Sequence, residues 1–391
     1  MKKWMSILMA GLMTVSALTA CGNNETAVQT EGSQKTESAP EGEVFEIGII
    51  QLTEHPALDA AREGFEEGIK EAGLNCNIEV QNAQNDQSTC TTIATKFVND
   101  DKDLILAIAT PSAQQVAAQT EEIPILVTAV TDPASAGLVA SNEAPDCNVS
   151  GTSDATPVKA QIDLLQQLLP DAKNIGVLYC SAEQNSEFQL SQTRTACEEA
   201  GLTLEEFAVS STNEIQQVTE SMVGKVDAIY IFTDNTISAN MATVAMIANE
   251  NKIPCIVGEE GMIDAGGLAT YGINYKELGK MTANQAVRIL KDGEDISKMP
   301  IEFMSDEQCT LKINEEVAAE LGITIPEELR EIRGRRDGFI ITGTARCDNP
   351  GCFLGNYGSR SIYYIPDIGY CGFNSGWQLC FGWQCLCGLC D

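Results

Sequence analysis

The chain is short of cations. Against 56 acidic side chains it carries 24 lysines and arginines and a single histidine, a formal net charge of -32 over 391 residues. That balance argues against nucleic acid as a partner, because phosphates need clustered Lys and Arg, and leaves a well-solvated acidic surface. Arginine is especially sparse. Between Val44 and Ile332 it occurs only as Arg62, Arg194, Arg288 and Arg330, all on helical stretches or the terminal segment. A phosphate or dicarboxylate ligand would usually need a bidentate guanidinium, so those ligand classes recede. The lone His55 rules out schemes that need two imidazoles, His-rich zinc hydrolysis included. No Gly-x-Ser-x-Gly elbow supplies a nucleophile beside it. A dinucleotide fingerprint, a phosphate loop and a short-period repeat are also missing. The expectation is a protein that is not an enzyme and needs no cofactor and no metal.

No apolar run is long enough to span a bilayer comfortably. The N-terminus carries a targeting pattern instead. Met1-Lys2-Lys3 is a basic start, Trp4 to Leu18 a short apolar stretch, and Leu18-Thr19-Ala20-Cys21-Gly22 resembles a bacterial lipobox in which Cys21 receives the lipid. The expected location is the extracytoplasmic face of the cell membrane, anchored through Cys21. Residues 22–43, rich in Asn, Glu, Thr, Ser and Gly without apolar period, read as a flexible tether.

From Val44 onward short apolar runs alternate with amphipathic helical ones. The first unit sets the plan. Val44 to Ile50 reads as a buried strand, Gln51 to His55 as a polar elbow, and Leu58, Ala61, Phe65 and Ile69 recur at helical spacing. Thr53 is the expected helix cap, with Pro56 in the first turn. Strands near 46–50, 76–81, 103–108, 124–128, 147–151, 174–179, 203–208, 226–232, 253–257, 267–272 and 300–304 interleave with helices of 8–18 residues, near 112–120, 184–200 and 275–292 among others. Strict alternation of this kind predicts α/β architecture, two parallel sheets flanked by helices. No Pro/Gly/Ser-rich break separates the lobes. Thr152-Ser153-Asp154 and Gly258-Glu259-Glu260 read as hinge crossings, which puts 44–152 and 260–293 in one lobe and 153–259 and 294–330 in the other.

These stretches resemble the solute-binding lipoproteins of ABC importers, type I periplasmic-binding-protein fold, and within them the tryptophan and tyrosine uptake proteins. The resemblance rests on Glu54-His55-Pro56-Ala57-Leu58-Asp59, Ala109-Thr110-Pro111-Ser112-Ala113-Gln114 and Val130 to Val139. Gly151-Thr152-Ser153-Asp154, Thr233-Asp234-Asn235-Thr236, Gly258-Glu259-Glu260 and Gly266 to Ile273 extend it. It implies capture of a small solute between two lobes and delivery to a permease and its ATPase.

Strand-end loops of both lobes would line the cleft, since open α/β sheets bind ligands there. Thr110, Pro111 and Ser112 open a helix whose free N–H groups suit a carboxylate. Glu54, Asp132, Asp154, Asp234 and Glu259 could meet an ammonium group. Gln51, Thr128, Ser153, Asn185 and Asn235 complete the candidate ligand-binding set. Carboxylate plus ammonium describes an α-amino acid, and the resemblance implies an aromatic one. A surface sensor on the same fold, or a binder of a heterocyclic nutrient, is the alternative. Ordinary roles compete at several positions: capping for Thr110 and Ser112, an Asx turn for Asp234, a hinge salt bridge for Glu259, core packing for Tyr179, Phe232 and Tyr271.

Cysteine divides the chain. The eight up to Ile332 are scattered without metal spacing and read mostly as small core residues. Residues 333–391 hold seven more and two of the three tryptophans, yet neither Lys nor Glu. The abrupt shift without periodicity reads best as translation in a shifted frame. A zinc or disulfide module lacks paired Cys-x2-Cys spacing, and a membrane anchor lacks length.

Overall fold

The computed structural model describes residues 44–305 and 308–330, together with the backbone of three short strands further on. Cys21 and its lipobox, the 22–43 tether and most of the 333–391 tail lie outside the described residues.

The first sheet begins with β1 (Phe45–Gln51), α1 (Pro56–Glu71), β2 (Cys76–Asn82), α2 (Gln87–Asn99), β3 (Leu104–Ile108), α3 (Thr110–Ala117), β4 (Ile125–Thr128) and β5 (Val149–Ser153). The second takes over with α4 (Val158–Leu168), β6 (Asn174–Cys180), α5 (Gln184–Glu199), β7 (Thr203–Val209), α6 (Ile215–Met222), β8 (Ala228–Ile231), α7 (Asn235–Ser238), α8 (Met241–Glu250), β9 (Cys255–Val257), α9 (Glu260–Asp264) and β10 (Ala269–Gly272). The chain then returns for α10 (Tyr275–Leu290) and β11 (Glu302–Phe303), and crosses once more for β12 (Thr310–Ile313) and α11 (Glu315–Leu321). Strand order is β11-β5-β4-β3-β1-β2 in one sheet and β12-β10-β9-β8-β6-β7 in the other. Only β12 in these two sheets runs antiparallel, against β10. In the tail, β13 (Tyr363–Tyr364), β14 (Tyr370–Phe373) and β15 (Gly376–Leu379) pair as an antiparallel meander.

Central strands are apolar on both faces because helices cover both: all five residues of β3 are buried, as are all four of β4 and of β8. The scattered cysteines mostly fill these cores. Cys90, Cys180, Cys197, Cys255 and Cys309 are buried, and Cys76 and Cys147 half-buried. Helix α10 lies on α1 so closely that a Cβ at Gly64 would sit 2.0 Å from the Lys276 carbonyl oxygen, and one at Gly279 would sit 2.0 Å from that of Ala61.

Three local expectations need correction. The chain does not re-enter the first lobe at residue 260: β10 pairs with β9 and β12, so the return falls between Gly272 and Tyr275. Residues 294–304 likewise stay with the first lobe, since Glu302 and Phe303 pair with Thr152 and Ser153. Gly258-Glu259-Glu260 is therefore a strand-to-helix turn inside the second lobe. There a Cβ at Gly258 would meet the Phe232 backbone at 2.5 Å. Finally, the residue before α1 is His55, with extended backbone and no side-chain cap bond; Thr53 does not cap it, and Pro56 supplies the preset first turn.

Candidate functional site

Parallel strands of both sheets send their carboxyl ends toward the seam between the lobes, and the elbows there hold most of the candidate residues. In the first lobe, β1 ends in buried Gln51. Its amide donates to the Thr53 carbonyl (2.7 Å) and Asp59 Oδ1 (2.8 Å), and its oxygen accepts from Arg62 Nε (3.1 Å). These bonds fix the elbow and occupy the Arg62 guanidinium, which also pairs with Glu66. Glu54 is exposed.

Helix α3 starts from Ala109, whose φ of 80° and ψ of 151° lie in a region normally reserved for glycine. This kink turns the chain from strand into helix at once and leaves the first-turn amides without intrahelical partners. Pro111 sits in the first turn, and Thr110 Oγ1 is buried with no protein partner. Ser112 is different: its hydroxyl donates back to the carbonyls of Ile108 and Ala109. Thr110 is thus the free hydroxyl of the pair, and Ser112 the local fastener.

Thr128 accepts from Thr152 Oγ1 at 3.0 Å, and Thr152 shares a second contact with Thr282 at 2.8 Å. Ser153 donates to the Thr131 carbonyl at 2.6 Å. Together they tie the crossing to α10. Asp132 is half-buried and spends both oxygens on a turn, accepting from Ser135 N (2.6 Å) and Asn142 Nδ2 (2.9 Å). Asp154, next in line, is buried. Tyr275 donates to its Oδ2 at 2.8 Å, while Oδ1 has no partner, and desolvation raises its pKa.

The second lobe contributes a carboxylate pair that sequence reasoning saw only in half. Asp234 is fully buried and caps α7 through Ile237 N (2.8 Å). Its other oxygen accepts from Cys180 N and Ser186 Oγ, both at 2.6 Å. Burial, then the neighbouring Glu183, push its pKa up to about 7. Glu183 had no place in the candidate set. It is 3% exposed and accepts from Asn235 N (3.1 Å) and Nδ2 (2.7 Å), and from Thr236 N (2.8 Å) and Oγ1 (2.7 Å). The signal available for it was an acid immediately before a helix, indistinguishable in sequence from an ordinary solvated N-cap. Asn185 is anchored through its amide to the Thr233 carbonyl (3.2 Å) and leaves Oδ1 buried and unpartnered. Glu259 caps α9, accepting from Gly261 N and Met262 N, and burial raises its pKa to about 7. Tyr179, Phe232 and Tyr230 form an aromatic cluster in the core, Tyr179 and Phe232 with centroids 6.2 Å apart.

The lobes touch across the seam. Asn85 Nδ2 donates to Thr236 Oγ1 (3.0 Å), Gln114 Nε2 to Gln184 Oε1 (2.6 Å), and Gln184 Nε2 to the Ser135 carbonyl (2.6 Å). The two parallel sheets, the repeated crossings and the facing polar elbows define a two-lobed, type I periplasmic-binding-protein fold.

The family model for ABC transporter substrate binding proteins matches residues 46–334. The chain is 42% identical over 319 residues, 81% of its length and 91% of the relative's, to a tyrosine-binding protein of Clostridioides difficile strain R20291. Among solved structures it resembles the ABC domain in complex with L-Trp from Streptococcus pneumoniae, with TM-score 0.72 and 38% identity over 75% of this chain and 99% of that one. It also resembles the ligand-free, open structure of a substrate-binding protein with adhesive properties from Clostridium difficile, with TM-score 0.57 and 45% identity over 72% and 96%. The chain belongs to the ABC transporter substrate-binding protein family, whose members bind solutes and are not enzymes. Its shape lies nearer the ligand-bound relative although its sequence lies nearer the open one, in keeping with the hydrogen bonds that close the seam.

Proposed function

We propose that this protein captures an aromatic amino acid, tyrosine or tryptophan, between its lobes and passes it to the permease and ATPase of an importer while lipid-anchored through Cys21. The observation that carries the reading is the set of buried polar atoms left without protein partners at the strand ends: Thr110 Oγ1 from the first lobe, Asn185 Oδ1 from the second, and Asp154 Oδ1 at the crossing. Buried polar groups are normally paired, so such atoms ask for a ligand or water. The hydroxyl and the first-turn amides of α3 suit a carboxylate, and the two acceptor oxygens suit an ammonium group. The Arg62 guanidinium is already engaged by Gln51 and Glu66, so among the described residues the ligand's negative charge is left to amides and hydroxyls.

The bonds made by Ser112, Thr128, Asp132, Ser153, Asp234 and Glu259 support a framing role for those residues, and Thr110, Asp154 and Asn185 are the strongest direct contacts. Binding then works by population shift: the ligand stabilises the closed form because only that form presents both lobes to it. The test is a thermal-shift panel of the twenty amino acids with nucleosides, purines and simple sugars. A ligand at 100 times its Kd adds about 2.7 kcal/mol, several degrees for a domain of this kind. A shift confined to aromatic amino acids supports the reading, and a shift with a sugar or purine alone overturns the ligand. For the anchor, Cys21→Ala should abolish incorporation of labelled fatty acid; retained labelling would refute it.

A further inference from the structure

His55 takes no part in the framing network. It is the only histidine of the chain, sits at the carboxyl end of β1, and is 7% exposed with neither ring nitrogen hydrogen-bonded to the protein. Its position is the seam itself. Pro56, the next residue, packs against Gly261 of the second lobe so closely that a Cβ there would lie 2.8 Å from Pro56 Cβ. Asn235 of the second lobe lies beside the ring, on the loop that Asn85 grips through Thr236. A neutral imidazole offers one donor and one acceptor. Neither nitrogen meets a partner within ordinary hydrogen-bond geometry, and the neighbouring Asn235 side chain can engage at most one of them, so at least one is left for a captured molecule to complete.

We propose that His55 is a ligand-contacting residue whose ring must be uncharged for the lobes to close on the ligand, so that capture releases a proton from it. This rests on the reading above that the ligand lies between the lobes. Of the charged groups, Asp59 on the following helix acts on the ring directly; Glu183 and Asp234 lie behind Asn235, Glu259 and Glu260 precede the Gly261 that faces Pro56, and Glu54 is the exposed neighbour in sequence. Burial outweighs the groups that favour the imidazolium: desolvation lowers the ring's pKa from 6.5 to about 4, with Asn235 and Asp59 pulling the other way, while Asp234 and Glu259, raised to about 7, are largely uncharged in that range. With the lobes apart the elbow meets water, where an imidazole titrates near 6.5. Below that pH the open form therefore holds a proton that the closed form must expel. Affinity falls as pH drops from about 6.5 to about 4, and His55 contributes no pH dependence above that window.

One histidine makes the test unambiguous. The full chain, labelled with carbon-13 at histidine, is titrated while the single imidazole resonance is followed with and without saturating L-tyrosine or L-tryptophan. Calorimetry at pH 7.5 and 5.0 is run in parallel on the wild type and on His55→Asn. The proposal expects the midpoint to fall by at least one pH unit when ligand binds. It also expects the wild-type Kd to rise roughly 25-fold more than that of His55→Asn between those pH values, the difference cancelling whatever Asp154, Asp234 and Glu259 contribute. Equal midpoints with ligand bound, or parallel pH profiles for the two proteins, would overturn the proton coupling and leave the ligand reading standing. No binding of either amino acid at pH 7.5 would overturn both. Should His55→Asn fail to fold, the wild-type resonance titration decides alone.

Discussion

Replacing Glu183 by alanine should cost the second lobe dearly, although nothing in its sequence context singles the residue out. The carboxylate receives four hydrogen bonds of 3.1 Å or less, two from the backbone amides of Asn235 and Thr236 and two from their side chains. The side-chain donors can turn elsewhere; the two amides cannot. At about 2 kcal/mol for each buried amide stranded from a charged acceptor, the loss is about 4 kcal/mol. Removing the charge also relieves Asp234, whose raised pKa reflects Glu183 after burial, returning about 1 kcal/mol. The net loss of about 3 kcal/mol corresponds to a Tm lower by roughly 6–12 °C for a lobe of this size. Glu183→Gln, which keeps one acceptor oxygen, should lose about half as much. Thermal unfolding followed by circular dichroism checks both. An alanine variant within 2 °C of the wild type would refute the claim that Glu183 organises the Asn235–Thr236 loop.

Gly64→Ala and Gly279→Ala should each destabilise by about 1–3 kcal/mol, because the new methyl would meet a backbone carbonyl of the facing helix; denaturant unfolding reads it, and an unchanged midpoint would contradict the packing. Gln184→Ala removes two hydrogen bonds across the seam and should weaken ligand binding roughly three- to tenfold at nearly unchanged Tm, so an unchanged Kd from calorimetry would show that the Gln184 contacts do not favour closure. The buried carboxyls set a pH dependence of stability. Asp234 and Glu259 have folded pKa values raised to about 7, so the folded chain keeps protons that the unfolded chain has shed, and stability falls as pH rises from about 4 to 7. His55, lowered to about 4, works in the opposite sense between about 4 and 6.5. Asp234→Asn should therefore show a smaller loss of stability from pH 5 to pH 8 than the wild type, and an identical loss would remove Asp234 from that account.

Much of the architecture was legible because parallel strands and amphipathic helices announce themselves by period. Leu104 to Ile108 is an unbroken apolar run, and the helix over Gln184–Glu199 falls within one residue of its expected 184–200. The crossings were harder. Gly258-Glu259-Glu260 has the polar, glycine-bearing composition of a hinge, but the pairing of Ala269 with Ile256 and Ile313 keeps it inside the second lobe. That is a long-range fact with no local signature. Strand β12 was overlooked because its alternation spans only four residues. In the site, residue types located the right elbows but could not separate contact from support. Ser112 and Thr110 look alike in sequence, yet one hydroxyl bonds its own helix and the other is free. Glu183 and His55 were passed over for the opposite reason: a helix-leading acid and a lone histidine usually have local, structural explanations, and only the seam reveals their surroundings.

The central claim is that an aromatic amino acid closes the two lobes on itself. Small-angle X-ray scattering of the protein titrated with L-tyrosine, L-tryptophan and, as controls, L-aspartate and glucose tests it most directly. The account predicts a saturable decrease in radius of gyration with one or both aromatic amino acids and none with the controls. No contraction with either aromatic amino acid, or contraction with glucose alone, would contradict it.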